Sequence, residues 1–312
     1  MRAALLLSLV ACNAIEPIES IELSALPTQE QVQVELGRAL FFDPGLSGDG
    51  TVSCASCHDP EQFGADGQTT SRGVGGAVGR RNSPSTFNAA LKRWQFWDGR
   101  ADSLEEQARG PLFAADEMAQ TPEGLRAVLR ERYDAAFEVA FPDEDGPTVA
   151  QATRALAAYQ RTLPAPSRVD RFLLGDATAL SAREQEGLDL FNANCVFCHS
   201  GAGVGGTQLE VLGDDNPWPA EQRQDLGRAE VTGRDRDEMV FVVPSLRNVA
   251  ETAPYFHDGS VETLEEAVRL MGWHQNGRRL PDGEVDALVA FLESLTAEEI
   301  PAHARPPADS VR

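Results

Sequence analysis

Two pentapeptides in this sequence place a pair of thiols directly before an imidazole. They are CASCH and CVFCH, and their ligand-type residues are Cys54, Cys57 and His58, then Cys195, Cys198 and His199. The C-x-x-C-H spacing is the attachment signature of a c-type haem, because two thiols can add to the porphyrin vinyl groups while the adjacent imidazole reaches the iron. We therefore expect two covalent haem c groups. The alternative is a four-cysteine zinc site, which would leave both histidines without a role.

Each motif supplies an iron ligand on one face of its haem only, so the ligand on the opposite face decides the reactivity of the iron. His58 and His199 are the expected proximal ligands. Met271 is the best candidate for the opposite face of the second iron, because a thioether opposite histidine gives a six-coordinate haem of raised potential, suited to electron transfer. Met239 is the competitor, and the alternative for Met271 is an ordinary core position.

The first haem has no comparable second ligand in its half of the sequence. No further histidine follows His58 before Phe96, and Met118 is the only methionine nearby. If Met118 does not bind, this iron has an open sixth position and the protein is an enzyme that reacts with a small oxidant. Peroxide cleavage also needs a group that moves a proton between the two oxygens. Spacing alone leaves five candidates for that group: Glu105, Glu106, Gln107, Asp116 and Glu117.

Composition limits the class of protein and its partners. A chain of 312 residues with 42% hydrophobic residues suits a globular protein of two ordinary domains. The formal net charge of −22 should repel nucleic acid and anionic membranes and could attract a basic protein partner. The alternative is that the charge serves only solubility, since charge alone does not name a partner.

The fifth cysteine, Cys12, ends the segment MRAALLLSLVAC. A charged start, a short apolar run and small residues are typical of a secretory signal, and the run is too short to span a bilayer. The ending LVAC resembles the lipobox of bacterial lipoproteins, so we expect a lipid anchor on Cys12 as the only membrane attachment. The alternative is an ordinary signal peptide with an incidental cysteine. Export agrees with covalent haem attachment, which takes place outside the bacterial cytoplasm, and predicts a periplasmic protein.

The elements that position these residues are mainly helical, with long loops and little sheet. Thr28 with Gln31, and Ser181 with Glu184, have the capping-box pattern that begins a helix. Apolar spacing predicts further helices over 103–109, 122–133 and 148–160, and one that starts at Pro281.

An internal repeat divides the chain into two haem domains of common design. FWDGRADSLEEQ begins at Phe96 and FHDGSVETLEEA begins at Phe256, each after a haem motif, so that Trp97 corresponds to His257. The segment LPAP at 163–166 is the expected boundary. The predicted organisation is a signal peptide over 1–12, a spacer over 13–27, an N-terminal peroxidatic haem domain over 28–165, a C-terminal electron-transfer haem domain over 166–300, and a tail over 301–312.

Several segments, in order around both haem motifs, carry a family resemblance. RNSPSTFNA, QFWDGRADSLEEQARGPL, VPSLRNVAETAPYFHDGSV and MGWHQNG resemble the bacterial dihaem cytochrome c peroxidase family, which also contains MauG. The resemblance covers about 28–296. It implies two cytochrome c-like domains and reduction of hydrogen peroxide to water, with electrons from a small periplasmic cytochrome c or cupredoxin. It also allows a homodimer, since members of this family often form dimers.

The resemblance assigns roles to individual residues. Glu117 matches the family's catalytic acid–base, Gln107 the glutamine that hydrogen-bonds in the distal pocket, and Trp97 the tryptophan between the haems. Met271 matches the axial methionine of the electron-transfer haem, a place that tyrosine takes in MauG.

The resemblance further implies one calcium ion between the domains. Its expected ligands are Asn82 and the main-chain carbonyls of Thr252 and Pro254. Hard oxygen ligands suit calcium, and water must complete the shell because no carboxylate contributes.

One departure from the family pattern concerns activation. Many of these peroxidases carry a histidine in the loop before RNSP that caps the first iron until the other haem is reduced. Here the loop reads TTSRGVGGAVGR, with Val74 near that place, and valine cannot bind iron. We therefore predict that reductive activation is not required. Two alternatives stay open: MauG-like oxidation of a partner protein, and a dihaem electron carrier without catalysis.

Overall fold

The computed structural model describes residues 15–307, so the predicted signal segment with Cys12 lies outside the described residues. The α-helices in this range are α1 (Thr28–Phe41), α2 (Leu104–Phe113), α3 (Pro122–Ala140), α4 (Val149–Arg161), α5 (Arg168–Leu173), α6 (Ala182–Asn194), α7 (Ala229–Thr232), α8 (Leu264–Asn276) and α9 (Asp282–Glu293). Strands β1 (Leu209–Val211) and β2 (Val240–Val242) form one antiparallel pair, in which Leu209 lies opposite Val242. The expectation of a mainly helical protein with little sheet is confirmed.

The helix starts follow local hydrogen bonding, with one correction. At α6 the Ser181 hydroxyl accepts from Glu184 N and Ser181 N donates to the Glu184 carboxylate, as the capping box predicts. The box predicted for α1 is wrong. Pro27 precedes the first turn, and the Gln31 amide donates to Leu26 O instead.

The two halves are built alike around one crossing of two helices. In the N-terminal half α1 packs on α4, and in the C-terminal half α6 packs on α9. Both crossings need a glycine, because a Cβ on Gly37 would collide with Ala155 O and a Cβ on Gly187 with Ala287 O.

The repeat also appears in the loops that precede α2 and α8. Phe96 and Phe256 both have positive φ values, +62° and +68°, and each begins the loop before a capped helix, α2 or α8. Asn88 and Asn248 match in the same way: their side-chain oxygens accept from Ala165 N at 3.0 Å and from Ala297 N at 2.8 Å. This agreement supports an origin of the two domains in duplication.

Each half has its own apolar core, and the described chain ends pack on these cores. Ile15, within the predicted spacer, is buried in the C-terminal core. In the predicted tail Ala304 is fully buried, and its carbonyl accepts from the Tyr159 hydroxyl at 2.9 Å. Within residues 15–307 we find no helix that combines the length and the apolar character needed to cross a membrane.

Candidate active site

The first haem motif lies in a tight turn at the surface of the N-terminal core. Residues Cys54–Ser56 form one turn of 3-10 helix, and His58 N donates to Cys54 O at 3.0 Å. The Nδ1 of His58 lies 3.2 Å from Gly64 O, which suits an Nδ1–H donor and leaves Nε2 for the iron. Burial lowers the pKa of His58, so the ring is held in the neutral form that binds metals.

The second motif follows the end of α6. Cys195 caps that helix, and His199 N donates to Cys195 O at 2.9 Å. Burial lowers the pKa of His199 to about 4. Its Nδ1 is buried without a hydrogen-bond partner among the described residues. The nearby main chain of Pro244 and Val204 acts in the opposite direction, but burial outweighs it, so this ring too is held in the neutral form that binds metals.

A mostly apolar cavity in the C-terminal half brings the second motif and Met271 together. Its lining includes Cys195, Cys198, His199 and, from α8, Met271. The four motif cysteines form no disulfide. Two free thiols, a neutral imidazole and a thioether around an apolar cavity suit a covalent haem with histidine and methionine ligands.

The competing methionine has a different environment. Met239 is 2% exposed and packs with Trp218 and Phe241 in a small apolar cluster. Its side chain is not part of the lining of the cavity that holds His199.

A second cavity brings together residues of the N-terminal half that are far apart in sequence. Its lining includes His58, Gln107 and Glu117. Gln107 comes from α2, and Glu117 from the turn that follows this helix. Met118, the methionine left open as an iron ligand, points elsewhere: it is 3% exposed and belongs to the N-terminal apolar core.

The Glu117 carboxylate accepts no hydrogen bond from the described residues, although its main chain is fixed. Glu117 N donates to Ala114 O at 3.1 Å, and Val74 N donates to Glu117 O at 2.8 Å. Burial, and then the nearby charge of Asp116, raises the pKa of Glu117, while Arg100 acts in the opposite direction. A buried carboxyl with a raised pKa holds a proton less weakly than an exposed one, which suits a group that must both take and return a proton. Val74 thus meets Glu117 through the main chain, and its side chain packs on the N-terminal apolar core.

Trp97 lines both cavities. Its indole Nε1 donates to Asn82 O at 2.9 Å. Its ring meets the His257 ring edge-on, with centroids 6.4 Å apart. His257 is 2% exposed, and neither ring nitrogen has a partner among the described residues.

The residues predicted to hold calcium lie in neighbouring loops. Asn82 N donates to His257 O at 2.8 Å, and its side-chain nitrogen donates to Gln68 O at 2.9 Å. The side-chain oxygen of Asn82 accepts no hydrogen bond from residues 15–307. Thr252 and Pro254 precede His257 in the second repeat, and no hydrogen bond of the described chain joins either to Asn82. The same part of the chain contains no cluster of three or more His, Cys, Asp or Glu residues suited to a metal ion.

Sequence reasoning missed an ion network beside Trp97. The Arg81 guanidinium contacts Asp98 at 2.5 Å and Asp225 at 2.6 Å. Arg228 donates to the main-chain oxygens of Asp98 and Gly99, both at 3.0 Å. These contacts connect the loop that contains Trp97, Asp98 and Gly99 to the C-terminal half. The sequence signals were Arg81 before NSP and Asp98 after Trp97, but neither indicates a partner more than a hundred residues away.

Comparisons with known proteins agree with this geometry. A family profile described as Di-haem cytochrome c peroxidase matches residues 31–178, and one described as Cytochrome c matches residues 184–296. The chain is 42% identical to Cytochrome c551 peroxidase of Nitrosomonas europaea over 294 residues, covering 92% of this chain and 86% of the relative. It is 44% identical to Cytochrome c peroxidase Ccp of Escherichia coli K12 over 293 residues, which is 92% of this chain but only 62% of that protein.

A solved structure gives the same result for the fold. It is described as a MauG-like protein associated with microbial copper homeostasis, and it is 32% identical to this chain. The two superpose with a TM-score of 0.80 over 94% of this chain and 97% of the other.

Proposed function

Because this chain belongs to the dihaem cytochrome c peroxidase family, we propose that it reduces hydrogen peroxide to water with electrons from a small periplasmic redox protein. That it is a haem c-dependent peroxidase follows from relatives 42% to 44% identical over most of the chain, and this sets aside the alternative of an electron carrier without catalysis. The observation that carries the proposal is the cavity in which Gln107 and Glu117 face the same space as His58. Steady-state oxidation of reduced cytochrome c by hydrogen peroxide tests it.

The proposed chemistry consumes one peroxide, two electrons and two protons and forms two water molecules. When bound, haem c supplies the iron at which peroxide is reduced and the means to store and pass on electrons. Glu117 takes the proton from one peroxide oxygen and delivers it to the other, which leaves as water. Gln107 donates a hydrogen bond that orients the peroxide. The neutral imidazole of His58 would hold the cofactor through its iron.

We further propose a route by which electrons reach the N-terminal haem. Electrons enter the C-terminal domain, where His199 and Met271 would hold the haem between an imidazole and a thioether. Trp97 would carry them onward, and its place in the lining of both cavities supports this role. The donor would be a small cytochrome c or a cupredoxin, and the net charge of −22 favours one with a basic face.

We also propose that the N-terminal haem has no second protein ligand and needs no reductive activation. The loop whose main chain contacts Glu117 contains Val74 at the expected place of the capping histidine, and the side chain of valine cannot bind iron. The burial of Met118 in the apolar core supports the same conclusion.

We also propose a calcium site between the domains and a location in the periplasm. The unoccupied hydrogen-bonding capacity of the Asn82 side-chain oxygen supports a calcium ion with carbonyl ligands from Thr252 and Pro254. Loss of thermal stability on treatment with a calcium chelator tests this site. Export to the periplasm, a lipid anchor on Cys12 and a homodimer complete the proposal. Metabolic labelling with a fatty acid, compared between wild type and Cys12→Ala, tests the anchor.

A MauG-like oxidation of a partner protein is the second candidate, and the likeness to a MauG-like structure favours it. Met271 in the lining of the second cavity favours the peroxidase instead, because MauG has tyrosine at this place. Rapid turnover with reduced cytochrome c supports the first function, and absence of turnover supports the second.

A further inference from the structure

Lys92 is the only lysine among the 27 lysine and arginine residues of the sequence. The other 26 are all arginine, so Lys92 differs in type from every other residue of this group. The two residues differ physically: the ammonium is a compact point charge on a flexible stem, whereas the guanidinium is a broad planar fork. The position therefore favours a small cation that can reach into a confined space.

That space is the cavity of the N-terminal half. Lys92 ends the 3-10 turn Ala89–Leu91 and lines the cavity that contains His58 and Glu117. Its stem passes over Gly206 of the C-terminal half, where a Cβ would collide with the lysine side chain. Arg93 N donates to Gly206 O at 2.9 Å, which fixes the main chain at this point.

The Lys92 ammonium has no anionic partner within residues 15–307. The other two cations of the cavity are paired, since Arg81 contacts Asp98 and Asp225, and Arg100 contacts Asp98 at 3.0 Å. The single carboxyl group in the lining, that of Glu117, feels the charges of Asp116 and Arg100 but not that of Lys92. Burial alone lowers the pKa of Lys92 to about 8. A cation placed in a cavity without a partner is costly, so the partner must arrive from outside the chain.

We propose that Lys92 binds a propionate carboxylate of the haem attached at Cys54 and Cys57. Haem c brings two carboxylates into a cavity that otherwise offers no anion to this cation. The inference rests on the proposed haem at this site but not on peroxide turnover. A half-buried positive charge beside the porphyrin favours the reduced iron, which carries one positive charge less. Lys92 is thus a positioning residue that holds the N-terminal haem and raises its midpoint potential.

Spectroelectrochemical titration of the purified holoprotein tests the proposal without peroxide. The Lys92→Met variant is expected to lower the midpoint potential of the N-terminal haem and leave that of the C-terminal haem unchanged. Lys92→Arg, which keeps the charge, should stay closer to wild type. Arg130→Met is the matched control, because Arg130 is an exposed cation on α3 and its loss should move neither potential. A Lys92→Met midpoint equal to that of wild type overturns the proposal, whatever the peroxidase activity.

A second measurement uses wild-type protein and so does not depend on the folding of a variant. Because the sequence has one lysine, labelling with lysine that carries ¹⁵N at Nζ gives a single side-chain signal. In the reduced, carbon monoxide-bound holoprotein, a propionate partner predicts an ammonium cross-peak at pH 7 that exchanges slowly with water. An amine that exchanges as fast as free lysine contradicts the proposal.

Discussion

The indole Nε1 of Trp97 donates a hydrogen bond of 2.9 Å to the main-chain oxygen of Asn82. The main-chain N of Asn82 in turn donates to His257 O at 2.8 Å. The tryptophan that lines both cavities is therefore fixed through the RNSP segment to the second copy of the repeat. A ring held in this way gives a rigid connection between the two proposed haems.

Glu117→Gln tests the proposed proton transfer. The substitution keeps the size of the side chain but removes the group that can accept a proton, and positioned acid–base groups typically contribute about 10²- to 10⁴-fold. We expect kcat/KM for hydrogen peroxide to fall by about that factor, measured by steady-state oxidation of reduced cytochrome c. Glu138→Gln on the exposed face of α3 is the control and should keep full activity. Full activity in Glu117→Gln would show that another group moves the proton.

The raised pKa of Glu117 predicts the acid side of the pH profile. The carboxylate must be deprotonated to accept a proton, so kcat/KM should fall as the pH decreases through the pKa of this group. Burial places that pKa above its ordinary value of 4.5. The decline should therefore begin at a higher pH than for an exposed glutamate, and it should be absent from the residual activity of Glu117→Gln. An identical decline in both proteins would assign it to a different group.

Met271 and Met239 give a matched pair of substitutions. Met271→Leu should lower the midpoint potential of the C-terminal haem and slow turnover with the donor, because a methionine opposite histidine raises the potential. Met239→Leu, in the small cluster with Trp218, should leave the spectrum of that haem unchanged. Redox titration of both variants decides between the two methionines. Loss of the methionine-ligated spectrum in Met239→Leu, with Met271→Leu unaffected, would reverse the assignment.

A buried ion pair supports the C-terminal domain. Arg247 contacts Asp170 at 2.8 Å, with both side chains 2% exposed or less. Removal of one partner leaves a buried charge, so Asp170→Asn should lower the free energy of unfolding by about 3–5 kcal/mol. In the exposed pair of Arg183 and Glu186, Glu186→Gln should cost less than about 0.5 kcal/mol. Urea unfolding of the holoproteins, followed by circular dichroism, measures both.

The same pair predicts a pH dependence. The hydrogen bonds and charge of Arg247 outweigh burial and keep the pKa of Asp170 below its ordinary value of 3.8. The stabilisation is therefore fully present above pH 3.8 and is lost as the pH falls through the lower, folded-state pKa. The difference between wild type and Asp170→Asn should shrink in that acidic range. A difference in unfolding free energy that stayed constant with pH would show that the stabilisation does not come from the charge of Asp170.

Local patterns in the sequence predicted much of this fold. The haem motifs, the repeat at Phe96 and Phe256 and the Ser181 capping box depend on residues close together in the chain. The helix predicted over 103–109 continues to Phe113 and includes a proline at position 111. The false box at Thr28 shows the limit of such patterns, since Pro27 and Leu26 settled the helix start instead.

What the sequence could not predict are contacts between distant segments. Spacing left five residues open for the proton shuttle, and only the folded chain places Gln107 and Glu117 in one cavity with His58. Arg81 meets Asp225, and Lys92 lies against Gly206, through packing of the two halves on each other. No local pattern carries that information, because it depends on how the domains dock.

In the proposed enzyme, protein ligands hold one haem on both faces and the other haem on one face only. The electron paramagnetic resonance spectrum of the oxidised, as-purified protein tests this most directly, with Val74→His as the comparison, since Val74 N lies 2.8 Å from Glu117 O. We expect one high-spin and one low-spin ferric signal in wild type, and loss of the high-spin signal in Val74→His. Two low-spin signals in the wild-type protein would contradict the account.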